Sequence, residues 1–231
     1  MTNPQDIVAL STQWMPFLLA GLGMTLLLAT GGLVIGLVIG GVGATLKLRQ
    51  NLLSRMLMEI YTTIVRSVPE LIVVYYFYFG LNEGLKLLQW LPGAPSTFEL
   101  PVLAVAFAAL GFIAGALAIE LFRTAYNAVP QSEVVAARAF AMPGFMLFRR
   151  VLFPHMMRYS LPGLGNIWIG LLKESSLISV MGVTELMRAT TIASNSTSAP
   201  FVFYLLCTVL YLIVTLASGA IFAWLERRYA A

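Results

Sequence analysis

The sequence predicts an all-α, polytopic membrane protein with five transmembrane helices and one long polar loop on the cytoplasmic side. Three observations carry this. Of 231 residues, 59% are hydrophobic and only 10% are charged, whereas ordinary soluble domains carry about 25% charged residues. The apolar residues fall in long runs, each near the roughly 20 residues that a spanning helix needs. The cations are segregated. With five spans, Lys47, Arg49, Arg55, Arg123, Arg138, Arg149, Arg150, Arg158, Arg227 and Arg228 fall on one side, and only Lys86 and Arg188 on the other. Cytoplasmic loops are enriched in Lys and Arg. The amino terminus is therefore expected outside and the carboxyl terminus inside. The same asymmetry accounts for the net charge of +4, so no nucleic acid partner is invoked.

The first span is expected over about Met15–Leu46. It carries Gly21, Gly23, Gly31, Gly32, Gly36, Gly40, Gly41 and Gly43. Small residues at such spacing let helix backbones approach closely in lipid, so this helix should pack against neighbours along much of its length. A basic turn with Lys47, Arg49 and Arg55 leads to a second apolar run, about Met56–Leu81. Arg66-Ser67-Val68-Pro69-Glu70 interrupts it, and Pro69 lacks a donor and crowds the carbonyl four residues back, so a break is expected there. The run ends in Tyr75-Tyr76-Phe77-Tyr78-Phe79, read as an interfacial belt, and Trp90 in the loop 82–101 suits the interface too.

The third span, about Val102–Ala125, has Glu120 and Arg123 near its end, three apart and able to pair. The fourth covers about Tyr159–Val183 and contains Asn166 and Lys173-Glu174-Ser175-Ser176. A loop with Asn195 and Pro200 precedes the fifth, about Phe201–Leu225. Cys207 lies in an apolar run and reads as a small buried hydrophobe. The first apolar stretch is too long for a signal-peptide core. Residues 1–231 read as one transmembrane domain.

Between spans three and four lies a polar island, Pro130–Arg158 within a loop over 127–158, bearing Glu133, Arg138, Arg149, Arg150 and Arg158. It reads as two short helices, Gln131–Ala141 and Phe145–Phe153, separated at Pro143-Gly144 and stopped by Pro154. Small residues on the first suit a helix that slots into a partner's groove. Two other readings compete. A DNA-binding helix-turn-helix needs a recognition helix free of the membrane, which a loop tied at both ends does not offer. A pair lying on anionic lipid suits the arginines of the second helix.

The island resembles the cytoplasmic loop motif of the membrane subunits of ATP-binding-cassette importers. More narrowly, the chain resembles the histidine and lysine-arginine-ornithine permeases and their octopine and nopaline relatives. The matching stretches are TLKLRQN at 45–51, YTTIVRSVPELI at 61–72, FRRVLFPHMMRYSLPGLGN at 148–166, LLKESSLISVMGV at 171–183 and LERRYA at 225–230. Aligned on Phe148-Arg149-Arg150, the family's loop glutamate falls on Val135, its two alanines on Ala136 and Ala137, and its glycine on Ala141. Glu133 lies two residues earlier and would point elsewhere on a helix. The resemblance implies a type I importer fold in a bacterial inner membrane, with the amino terminus periplasmic. It implies a docking loop that includes Glu133, Val135, Ala136, Ala137, Arg138, Ala141, Gly144, Arg149 and Arg150. It further implies a second, paralogous permease subunit, two ATPase subunits that bring ATP and magnesium, and a periplasmic binding protein. The cargo would be a polar amino acid, basic ones foremost, or an opine.

This chain has no G-x-x-x-x-G-K-[ST] phosphate-binding loop, so no ATPase site of its own is expected. His155 and Cys207 stand in no metal-ligand pattern, and no metal is expected. Ionisable groups inside a span are functional candidates by default. The pathway candidates are Arg66, Glu70, Glu120, Asn166, Lys173, Glu174, Ser175 and Ser176. The structural alternative has Lys173 pairing with Glu174, Glu70 or Glu120 to hold the bundle together. An intramembrane enzyme would need a catalytic dyad or metal motif, and none is visible. A self-sufficient secondary carrier is expected to have inverted repeats, and five spans cannot be halved.

Overall fold

A computed structural model describes residues 4–49, 51–81, 83–84 and 100–230, and side chains within 10–229. Trp90, Lys86 and most of the 82–101 loop lie outside the described residues. Among those described there are helices and no strands.

Helix α1, Pro4–Leu48, takes 45 residues in one run, and α4, Val102–Asn127, takes 26. They pack side by side because their small residues are in register. A Cβ added at Gly32 would meet Leu110, one at Gly36 would meet Ala114 at 2.6 Å, and one at Gly40 would overlap Ala118. In return, Ile35 and Ile39 of α1 cover Gly111 and Gly115 of α4. Both series advance by four and in the same sense, so the helices run parallel with backbones close together. With lipid as solvent, such dispersion contacts rather than the hydrophobic effect hold helices together. Gly23 and Gly41 face open space, so the expectation of close packing holds for one stripe of α1.

Helix α2, Leu52–Ser67, starts from an Asn51 cap whose side chain accepts from the Leu53 N–H at 3.0 Å. It stops where expected, at Val68-Pro69, and the chain restarts as α3, Glu70–Tyr75, continuing in a π turn over Tyr76–Gly80. Neither piece is long and apolar enough to cross a membrane by itself. By length and composition, three helices qualify: Leu10–Leu48, Val102–Asn127 and Pro200–Tyr229. A fourth is a pair bent by 57°, Gly144–Met181 with Leu186–Thr197. The expected second span is thus two short helices around the proline break.

The island folds as α5, Gln131–Ala139, and α6, Gly144–Leu147. Contrary to expectation, Pro154 does not end the second helix. After α6 the chain makes a π turn, Phe148–Leu152, and runs on as α7, Phe153–Glu174. At the turn's end the Phe153 N–H reaches back five residues to the Phe148 carbonyl. The wider turn relieves the crowding that a proline ring imposes on a regular helix. Helix α7 passes into a 3-10 turn, Ser175–Met181, closed by Gly182 at φ +91°, a left-handed conformation that glycine adopts without strain. The segment expected as a loop before the last span is instead helix α8, Leu186–Thr197, followed by α9, Pro200–Ala230.

Contacts fix the directions. Gly32 of α1 meets Leu171 of α7, and Ala44 and Thr45 line a cavity with Met156 and Ser160, so α7 runs opposite to α1 and α4. Gly165 meets Phe222, and Trp168 Nε1 donates to Ser218 at 2.9 Å, so α9 runs opposite to α7. The carboxyl ends of α1, α4 and α9 therefore gather at the island end of the bundle.

Candidate functional site

The island has a small core of its own, Val129, Val134, Ala137 and Leu147, against which Met142, Val151, Leu152 and Met156 pack. It is a folded arm rather than a slack loop. Helix α5 ends in a left-handed cap. The Met142 N–H bonds the Ala137 carbonyl at 3.2 Å and the Ala141 N–H bonds that of Arg138 at 2.9 Å. This double bond pattern needs a left-handed residue, usually glycine, and Ala141 fills the place at φ +51°. The glycine of the family motif falls on this same residue, so the departure noted in the sequence sits where a Cβ costs most.

Outward from that core, Val135 is 62%, Phe140 86% and Phe145 77% exposed. Ala136, Arg138, Gly144, Arg149 and Arg150 are exposed too, while Ala137 is buried. The arm therefore presents an apolar face flanked by guanidinium groups, a surface suited to a protein groove. Glu133 does not join that face as a free charge: its Oε2 lies 2.7 Å from His155 Nε2, tying α5 to α7. Sequence reasoning noted His155 only as standing in no metal-ligand pattern and did not find this partner.

The pathway candidates divide into two groups. At the far end of α7, Glu174 is half-buried, and its Oε2 is sealed from solvent with no hydrogen-bond partner among the described residues. Helix α3, which opens on Glu70, packs against the 3-10 turn that follows Glu174. Ser175 and Ser176 donate back to the Leu172 and Lys173 carbonyls at 2.8 and 2.7 Å. Lys173 is exposed and lines a separate cavity with Ser176, Tyr204 and Tyr211. Among the described residues it makes no ion pair, so the alternative in which Lys173 pairs with Glu174, Glu70 or Glu120 finds no support there. Asn166 is exposed on α7, apart from both groups.

The second group lies nearer the island. Glu120 pairs with Arg123 at 3.1 Å, as the spacing suggested, but it is also bound by Lys47. Lys47 additionally reaches Glu59 at 2.8 Å and the Thr62 hydroxyl at 3.3 Å. Counted above as a loop cation, Lys47 is in fact 5% exposed within α1. Its ammonium is saturated by partners from α2 and α4, which is what permits burial of a charge. These residues border a polar cavity of about 430 Å³ lined by Glu59, Thr62, Thr63, Arg66, Ser67, Glu120 and Arg123.

One further group was missed. Glu185 is fully buried at the start of α8, and its carboxylate accepts from the Met187 and Arg188 N–H groups at 2.8 Å each. The Tyr211 and Thr25 hydroxyls donate to it at 3.4 and 3.5 Å. It caps α8 and binds that helix to α1 and α9. An acidic residue ahead of a helix was the available signal, lost because the segment was read as a loop.

Comparison with known proteins agrees with this geometry. Residues 32–231 match the family model for binding-protein-dependent transport system inner membrane components. The chain is 40% identical over 213 residues to the histidine/lysine/arginine/ornithine transport system permease protein of Escherichia coli (strain K12), covering 92% of this chain and 93% of that one. It is 39% identical to the octopine transport system permease protein of Rhizobium meliloti, covering 93% and 91%. Against the nopaline permease protein of Agrobacterium fabrum (strain C58 / ATCC 33970) the figures are 36%, 93% and 91%. A crystal structure of an amino acid ABC transporter with histidines superposes with a TM-score of 0.83 at 28% identity, over 99% of this chain and 100% of that chain.

Proposed function

The chain belongs to the family of binding-protein-dependent transport system inner membrane components, and on that footing we propose that its cargo is a polar amino acid, basic ones foremost, or an opine. The observation that carries the cargo is the set of relatives, 36–40% identical across nine-tenths of the chain and named for basic amino acids or opines. The chain is a permease subunit of an importer and forms half of the pathway as one transmembrane domain. A paralogous permease supplies the other half, two ATPase subunits hold ATP and magnesium, and a periplasmic binding protein delivers the cargo.

The arm over 127–158 is the coupling element. Nucleotide binding closes the ATPases, the arm moves with them because its own core makes it rigid, and α4 and α7 carry the motion into the bundle. Docking rests on the exposed apolar face and on Arg138, Arg149 and Arg150, since Val135 replaces the motif's acid. The basic ends of α1 and α9 share the arm's end of the bundle with the arm's own arginines, which supports a cytoplasmic arm and carboxyl terminus with a periplasmic amino terminus. Glu174 is the first contact for the cargo's cation. Its unpaired buried oxygen is an acceptor left without a donor, a cost of about 1–3 kcal/mol that a bound ammonium or guanidinium would remove.

Reconstitution of the co-purified assembly in proteoliposomes tests this reading. Radiolabelled L-arginine or octopine should enter only with ATP and the binding protein present, and Glu174→Gln should reduce uptake at least tenfold while the subunits still co-elute. Uptake without any ATPase subunit would overturn it in favour of a self-sufficient carrier.

A further inference from the structure

The polar cavity between α2 and α4 has no role in the coupling or in the Glu174 contact, yet its charges are arranged unevenly. Lys47 and Arg123 are taken up by Glu120, and Lys47 also by Glu59. Arg66 is left over: it is exposed to the cavity and makes no ion pair or hydrogen bond among the described residues. Thr63, three residues before it on the same helical face, and Ser67, four after Thr63, also line the cavity. Two turns earlier on α2, roughly 10 Å along the axis, Glu59 keeps 60% of its side chain exposed and one oxygen free of Lys47. One end of the cavity thus offers an uncommitted guanidinium with hydroxyls beside it, and the other an accessible carboxylate.

We propose that this cavity is a second cargo station, which binds a basic amino acid with its carboxylate on Arg66 and its side-chain cation at Glu59. The proposal rests on the amino-acid reading above and extends it. A fork of guanidinium donors matches a carboxylate in two parallel hydrogen bonds. The spacing of about two turns suits a molecule with opposite charges at its two ends, which neutral and acidic amino acids lack. Position gives the station its place in the cycle. Glu120 and Arg123 lie seven and four residues before the end of α4 at Asn127, or roughly 10 and 6 Å from the arm. Glu174 is eleven residues beyond Gly163, which meets Leu121 of α4, or roughly 16 Å further from the arm. The break at Val68-Pro69 stands between the two levels, with Arg66 and Ser67 on one side and Glu70 on the other. Cargo leaving the Glu174 level meets the cavity next, so the station is the release-side one. Amino acid accumulated in the cytosol would refill it from below and slow further import.

The test is equilibrium binding of tritiated L-arginine to the assembled, nucleotide-free transporter in lipid nanodiscs. Wild type should bind at two levels per chain. The Glu174→Gln form should keep one, and adding Arg66→Gln should weaken that remaining binding tenfold or more, with Arg66→Lys restoring part of it. Glu59→Gln should abolish the preference for L-arginine over L-citrulline, its neutral analogue, because only the distal charge differs. If Glu174→Gln does not assemble, the loss of one equivalent in Arg66→Gln alone carries the same information. Residual binding indifferent to both substitutions overturns the station, as does displacement by inorganic phosphate with no preference for L-arginine over L-citrulline. A wild-type assembly that binds no basic amino acid and shows no ATP-driven uptake is a failure of the transport reading itself.

Discussion

Helices α4 and α9 are both long and strongly apolar, yet they occupy opposite places. In α4, 61% of the spanning window is buried within the subunit; in α9 the figure is 11%. Hydropathy does not separate them. What differs is residue size along one stripe: α4 sets Ala114 and Ala118 against Gly36 and Gly40 of α1 and takes Ile35 and Ile39 onto its own Gly111 and Gly115, whereas α9 turns Leu205, Leu212, Ile213 and Leu216 outward. In a membrane, bulky apolar residues have no reason to turn inward, since lipid tails solvate them equally well. Small residues define the interior because only they permit close backbones. The first pair is the subunit's frame, and the exposed face of α9 is left for lipid or, in the proposed assembly, for the second permease subunit.

Breaking the frame should have the largest effect. Gly36→Val places its Cβ 2.6 Å from that of Ala114, and overpacking of this kind costs about 1–3 kcal/mol, occasionally more. The expected result is loss of the assembled complex in membranes, read by co-purification with the ATPase subunits, while Gly41→Val at an open position leaves assembly intact. An intermediate gain comes from neither helix. Ala141→Gly relieves the left-handed strain in the arm and should stabilise it by about 1 kcal/mol, read as slower proteolysis within the arm. The smallest effect is expected on the outward face: Leu212→Ala should shift the thermal stability of the isolated subunit by less than about 0.5 kcal/mol. A clear drop in the complex but not in the subunit would assign that face to the partner permease rather than to lipid.

Much of this was legible in the residues. The glycine spacing announced a packed stripe, Pro69 announced the break, and Pro143-Gly144 announced two helices in the arm. The resemblance puts the family's glycine on Ala141, the residue that takes the left-handed cap at φ +51°. Other features were hidden for identifiable reasons. Pro154 reads as a helix stop in any local rule, and only the π turn before it makes the helix continuous. Residues 186–197 mix Thr, Ser and Asn with apolar residues, a composition that suggests a loop until α1 and α9 supply a surface for it. Lys47 looked like one more cytoplasmic cation because its carboxylate partners lie 12 and 73 residues away.

By itself, the sequence determined the class of molecule, the order of its apolar helices, the site of the broken one and the existence of a basic arm between two spans. These follow from composition, period and proline chemistry, which act over a few residues. Tertiary structure alone decided which glycines touch a neighbour, that Glu133 is held by His155, that Glu185 knots three helices together, and that a saturated lysine leaves Arg66 facing a cavity with no ion pair among the described residues. Each of those depends on groups far apart in the chain meeting where water is scarce. There a polar atom must find its partner in whichever helix the packing brings alongside.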